Sequence, residues 1–359
     1  MNLDSYSHGL DQYQELERSF LVSHPKQCHP RRLISLTFLF IIPLAIAALC
    51  LGRYPLSLAT VLTTLTEPTR TSLASNIILA LRLPRIIGAL LIGAALATAG
   101  SAYQRCFANP LVSPDLLGVA NGAAVGAASA ILLGQSSWLI QLGAFLGGII
   151  AVTIAVLIPR LIGHSANRLI LVLSGVIVTG FMQAALGLLK YLADPDSQLP
   201  SIVYWQLGSI AKVDFASLLT TLPSFLIGFI ILIAERWHLT IMATGMGNSR
   251  TSGVNAKVEQ PLIIAGATLL TAGAVSLSGT IGWVGLVIPH IARLMVGDDA
   301  RYNLPLSISL GALFMLVIDT LARTLSSGEI PLSILTGFIG TPLFILVLAR
   351  NLGGGSRND

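Results

Sequence analysis

Apolar runs of bilayer-crossing length dominate this sequence and leave few folds open. A helix needs about 20 apolar residues to cross the hydrocarbon core. Runs of that kind occupy residues 33 to 51, 86 to 104, 114 to 134, 138 to 158, 169 to 191, 215 to 234, 258 to 278, 304 to 322 and 332 to 349. A further stretch, "GTIGWVGLVIPHIARLMVG" at 279 to 297, is short for a span and carries Pro289, His290 and Arg293. Inside lipid the backbone has no water to bond, so such segments become helices. Only 10% of the residues are charged, against about 25% in a soluble domain. The chain reads as an all-α polytopic membrane protein with about ten transmembrane helices. If the short stretch crosses, both termini share a side.

Basic residues test the orientation, because cytoplasmic loops carry an excess of Lys and Arg. With the N-terminus inside, the outer segments hold Arg53, Arg70, Arg82, Arg85, Lys190, Lys212 and Arg323, and the other fourteen of 21 fall on the inner side. The termini are therefore expected in the cytoplasm, and "LRLPR" at 81 to 85 outside, against the usual bias. Residues 1–32 form a polar tail expected to be weakly ordered, 33–350 the transmembrane domain, and 351–359 a short C-terminal tail. Cys28, Cys50 and Cys106 show no metal-type or disulfide spacing, and no role is assigned to them. In "LGVANGAAVGAASA", Gly118, Gly122 and Gly126 recur every four residues, a small-residue face for helix packing. Gly279, Gly282 and Gly285 form a tighter series of the same kind.

Motifs for bond-making chemistry are missing. "GMGNSRTSG" at 245 to 253 is glycine-rich but lacks the Gly-Lys-Ser/Thr ending of a phosphate loop. The sequence has no HExxH, no Gly-x-Ser-x-Gly and no paired catalytic carboxylates. The chain reads as non-enzymatic, with no cofactor and no metal site. Within the spans Asp319 stands out, four residues before Arg323, where a helix brings the two side chains together as a structural ion pair. Such scarcity of buried ionisable groups argues against an ion-coupled transporter and for an external energy source. A membrane sensor is the other alternative.

Five stretches, taken in order, resemble one family. They are "LRLPR" with "GAALATAG", "NPLVSPDLLGVANGAA" (109 to 124), "LPSIVYWQLGS" (199 to 209), "SGTIGWVGLVIPHIARLMVG" (278 to 297) and "GEIPLSILTGFIGTPLF" (328 to 344). The chain thereby resembles the binding-protein-dependent permeases for iron-siderophores, haem and cobalamin, the membrane subunits of type II ABC importers. The resemblance covers about 33 to 350 and implies ten helices, with 279 to 297 as a span. It also implies a pair of permease subunits, identical or related, with two ATP-binding cassette ATPases and a periplasmic binding protein. Location in a bacterial inner membrane, with no nucleic-acid partner, follows from it. A ferric siderophore is the expected cargo, with haem, cobalamin or molybdate as alternatives.

The resemblance also implies residue roles. Arg82, Arg85 and Arg323 match positions that dock carboxylates of the binding protein, while arginines at helix ends also snorkel to the interface. The segment 235 to 256 is implied to be the ATPase coupling loop, with Thr244, Gly245, Gly247, Ser249, Gly253 and Val254 at its centre. It departs from the family, which often has an acidic residue after the first glycine. Asn109, Pro110 and Leu111 match a cytoplasmic gate, or else a tight connector stiffened by Pro110 and Pro114. Ser174, Gly175 and Thr179 would line the pathway, although helix packing accounts for them equally. Ser333, Gly337 and Thr341 stand where glycine or alanine is common, a change that bears on the pathway wall.

Overall fold

The computed structural model describes residues 29–67, 72–163, 168–243, 256–326 and 328–353. The elements in order are α1 (Pro30–Cys50), α2 (Leu58–Thr66), α3 (Leu73–Cys106), α4 (Val119–Leu132), α5 (Ser137–Leu161), α6 (Arg168–Leu192) and α7 (Gln198–Leu207). They continue with α8 (Phe215–Ala234), α9 (Arg236–Ala243), α10 (Ala256–Ser278), α11 (Val284–Val296), α12 (Ala300–Thr324) and α13 (Leu332–Gly353). Among the described residues, seven helices are long and apolar enough to cross a bilayer: α1, α3, α5, α6, α8, α10 and α12. With α4, α11 and α13, which are apolar but shorter over their described length, they make the ten-helix set read from the sequence.

Local chemistry sets the helix ends. Pro30 sits in the first turn of α1, where its missing N–H costs nothing. Asp214 caps α8 in a reciprocal box with Ser217, at 2.8 and 3.0 Å. α3 widens into a π-type turn over Ile77–Arg82. Pro84 follows, and a proline ring inside a helix removes one N–H and crowds the carbonyl four residues back.

α3 is the hub. From Ala94 to Cys106 every residue is buried, because α3 is built from Gly, Ala and Ser that let neighbours approach. A Cβ on Gly93 would run into the Gly311 carbonyl of α12, and one on Gly100 into the Gly285 carbonyl of α11. Polar contacts fix these crossings: Ser101 Oγ donates to Asn303 Oδ1 at 2.8 Å, and the Tyr103 and Thr268 hydroxyls meet at 3.2 Å. α4 and α5 pack glycine to glycine, Gly122 on Gly147 and Gly126 on Gly143.

Two glycine expectations need correction. Gly118 precedes α4 with φ +81° and faces Thr179, so only Gly122 and Gly126 belong to the helical face. In the other series, Gly279 (φ +70°) and Gly282 lie in the non-helical link between α10 and α11. Gly285 packs against Pro114 and α3, while Gly279 packs against the Trp205 carbonyl of α7 from outside any helix, and Gly282 has nothing near its Cβ position.

At 13 residues, α11 rises only about 20 Å, short of the ~30 Å core. Irregular backbone beside it is satisfied within the protein. Ser209 N donates to Ser278 O at 2.7 Å, Thr280 Oγ1 to Gln206 O at 2.5 Å, and Leu332 N to Gly208 O at 2.9 Å. Non-helical chain at membrane depth is tolerated only on such terms.

Candidate functional site

The starts of α3 and α13 and the ends of α1 and α12 meet at one end of the bundle, where the three sequence-selected arginines gather. None is presented to solvent: Arg82, Arg85 and Arg323 are 6%, 9% and 6% exposed. Arg82 donates to the carbonyls of Leu49, Cys50 (3.3 Å) and Tyr54 (2.5 Å), closing off the C-terminus of α1. Its guanidinium lies against Gly52 (φ +152°), where a Cβ would collide with it. Arg323 Nη2 reaches Ala48 O at 2.5 Å. Both satisfy carbonyls that a helix end leaves without partners.

Arg85 is held by two carboxylates, Nε to Asp319 Oδ1 at 2.8 Å and Nη1 to Glu329 Oε1 at 2.6 Å. Asp319 is fully buried, and Arg323 Nε stands 3.7 Å from its other oxygen. The pairing read from the i,i+4 spacing is thus present but is the longer of two. In this chain the three arginines that match carboxylate-docking positions are each engaged by an internal acceptor. The glutamate that completes the cluster, Glu329, lay in the "GEIP" motif, but nothing local in sequence ties it to Arg85, 244 residues away.

At the opposite end, residues 107–118 join α3 to α4. Asn109, Pro110 and Leu111 form its exposed tip, with Asn109 Oδ1 accepting from Leu111 N at 2.9 Å. Asp115 Oδ1 accepts from Ala120 N at 2.7 Å and so caps α4. Burial pushes the Asp115 carboxyl up to about 6, although the Ala120 bond favours its charged form. Beneath the tip, Arg105 Nη2 donates to Asp298 O at 2.8 Å and Arg293 Nη2 to Gln104 Oε1 at 3.0 Å, pinning α3 to α11 and the link that follows it.

Ser174 and Gly175 of α6 are buried; Ser174 Oγ donates to Ile170 O at 2.8 Å, and a Cβ on Gly175 would meet the Leu116 carbonyl of this loop. Thr179 touches Gly118. Gly175 and Thr179 thus pack against the loop, in line with the packing explanation of these residues. The open side of α6 is instead Leu173, Val176, Ile177, Gly180 and Phe181. On α13, Ser333, Ile334, Gly337, Phe338, Thr341 and Pro342 line a second open groove. Thr244, Gly245, Gly247, Ser249, Gly253 and Val254 lie outside the described residues. The flanks of their segment are α9 and the start of α10, and Arg168 Nη2 ties α6 to Met242 O of α9 at 3.2 Å. A cavity of about 860 Å³ opens between α5, α7, α8 and the end of α10, with Trp138, Tyr204, Trp205 and Lys212 on its walls.

Residues 38–350 match the FecCD transport family. The molybdate import system permease protein of Haemophilus influenzae is 37% identical over 331 residues, 91% of this chain and 98% of the relative. The hemin transport system permease protein of Yersinia pestis is 32% identical over 328 residues, 89% and 96% of the two chains. A solved metal-chelate type ABC transporter in an inward-facing conformation superposes with a TM-score of 0.80 at 35% identity, covering 89% of this chain and 99% of that one. The ten-helix set therefore has the type II ABC importer permease fold. On this evidence the chain belongs to the FecCD transport family, as the permease subunit of an ABC importer.

Proposed function

We propose that the chain forms half of a translocation pathway for a ferric siderophore, working in a bacterial inner membrane with both termini in the cytoplasm. A second permease subunit covers the open faces of α6 and α13. Two ATPases drive it from the Asn109 end, and a periplasmic binding protein delivers cargo at the Arg85 end. The observation that carries this reading is a pair of unpartnered apolar faces, one on α6 beside the 107–118 loop and one near the start of α13. Val176, Ile177 and Phe181 on one side and Ile334 and Phe338 on the other leave a wide, apolar wall. Asn109, Pro110 and Leu111 stand as its gate, and 244–254 as the segment that receives the ATPase stroke.

Docking proceeds by exchange at the arginine cluster. A carboxylate of the binding protein replaces Glu329 on Arg85, since the bidentate fork of a guanidinium favours carboxylates and Glu329 is the most exposed member of the cluster. A relative from Helicobacter pylori, a probable iron chelatin permease 39% identical over 279 residues, supports the siderophore. The molybdate permease, alike over nearly its whole length, favours an oxyanion as the second reading. Uptake of labelled ferric siderophore, haem, cobalamin and molybdate by cells carrying the complete importer decides between them. Siderophore accumulation is the expected result, and accumulation of molybdate alone would overturn the cargo assignment.

A further inference from the structure

The Asn109 end also holds a cluster of donor side chains that transport leaves without a part. Glu235 closes α8, His238 lies in the first turn of α9, and Glu259 lies in the first turn of α10. His238 Nδ1 is 2.6 Å from Glu235 Oε2 and 3.6 Å from Glu259 Oε2. The ligand atoms of all three residues fall within 4.8 Å of one another. Glu235 is more than nine-tenths buried. Among the described residues neither carboxylate has a Lys or Arg ion-pair partner.

Two carboxylates set around one imidazole nitrogen, with no fixed cation beside them, make a concentrated negative charge that a small cation would neutralise. Ligand bonds to such an ion are about 2.0–2.2 Å, which places neighbouring donors roughly 3–3.5 Å apart. The 3.6 Å pair already meets that spacing. The 2.6 Å pair needs to open by roughly 0.5 Å, which the part-exposed His238 has room to do. We propose that Glu235, His238 and Glu259 bind a divalent first-row transition-metal ion, joining the ends of α8 and α10 through α9. One imidazole and two carboxylates suit Zn²⁺, Mn²⁺ or Fe²⁺. Ca²⁺ requires six to eight oxygens, and Mg²⁺ prefers water and phosphate oxygens. The site does not depend on the transport reading.

The test is Zn²⁺ binding to the purified full-length chain in detergent, with stoichiometry by elemental analysis after dialysis and affinity by chelator competition. His238→Gln and Glu259→Gln each remove one ligand while leaving the buried Glu235 in place. The expected result is one equivalent of Zn²⁺ in the wild type, bound at least about tenfold more weakly in each variant. A rise in melting temperature on adding Zn²⁺, absent from both variants, would accompany it. Equal melting temperatures in EDTA show that the variants fold. Absence of stoichiometric Zn²⁺, or the same equivalent and affinity in wild type and variants, would overturn the site and leave a hydrogen-bonded Glu–His–Glu cluster.

Discussion

Arg85 shows how far a single residue's meaning depends on distant chain. In sequence it is a cation at a helix mouth; in the fold it is the counter-charge of the fully buried Asp319. Replacing Arg85 with Ala leaves that carboxylate with only its longer contact to Arg323, at a cost of about 3 kcal/mol, read as a fall in detergent melting temperature. Glu329→Gln removes only the more exposed partner. It should cost about 1 kcal/mol or less and tighten binding-protein association by freeing the guanidinium. Unchanged or weaker association would refute the exchange.

A second residue, Asp115, carries a pH signature. Its folded carboxyl titrates near 6, above an ordinary aspartate, so the folded state takes up the proton first as pH falls. This contribution to stability is therefore full below about pH 4 and lost as pH rises through 6. Asn can keep the cap on Ala120 without ionising. The melting temperature of Asp115→Asn relative to wild type should accordingly rise between pH 5 and 7.5, and a pH-independent difference would contradict it.

At the scale of elements, the spans were legible because apolar length and bilayer thickness leave little freedom: nine runs read from hydropathy became helices. The tenth was not legible that way. α11 is short because the 279–283 link fills part of the membrane depth with irregular backbone, bonded to chain more than 70 residues away. The arginine cluster was half legible. Positions 82, 85 and 323 stood out, as did Asp319, but their other acceptors are backbone carbonyls and a glutamate brought in by tertiary packing. Glycine spacing proved a weak guide wherever the chain is not helical, as at Gly118 and Gly279. Where glycines do face each other they set the crossing distance. Gly100→Val should push α3 from α11 and cost several kcal/mol, in line with overpacked cores, whereas Gly187→Ala, with nothing near its Cβ position, should be neutral. Equal melting temperatures for the two variants would remove the close-approach argument.

At the scale of the whole molecule, the ionic groups within the spans, Arg85, Asp319 and Arg323, lie inside the bundle while apolar faces lie outside. Those on α1 suit lipid. The α6 face borders the 107–118 loop and the α13 face carries the groove through Ser333, Gly337 and Thr341, and a second subunit there would complete a channel that neither copy holds alone. Cargo identity is not written into such a wall, which explains why the sequence could give the transporter class and not the ligand. The most direct measurement is uptake into proteoliposomes containing the permease and its ATPase, with binding protein outside and ATP inside. Cargo should accumulate only when ATP, ATPase and binding protein are all present, and deletion of residues 245 to 252 should abolish accumulation while ATP hydrolysis persists. Accumulation driven by an ion gradient without ATP would contradict the account.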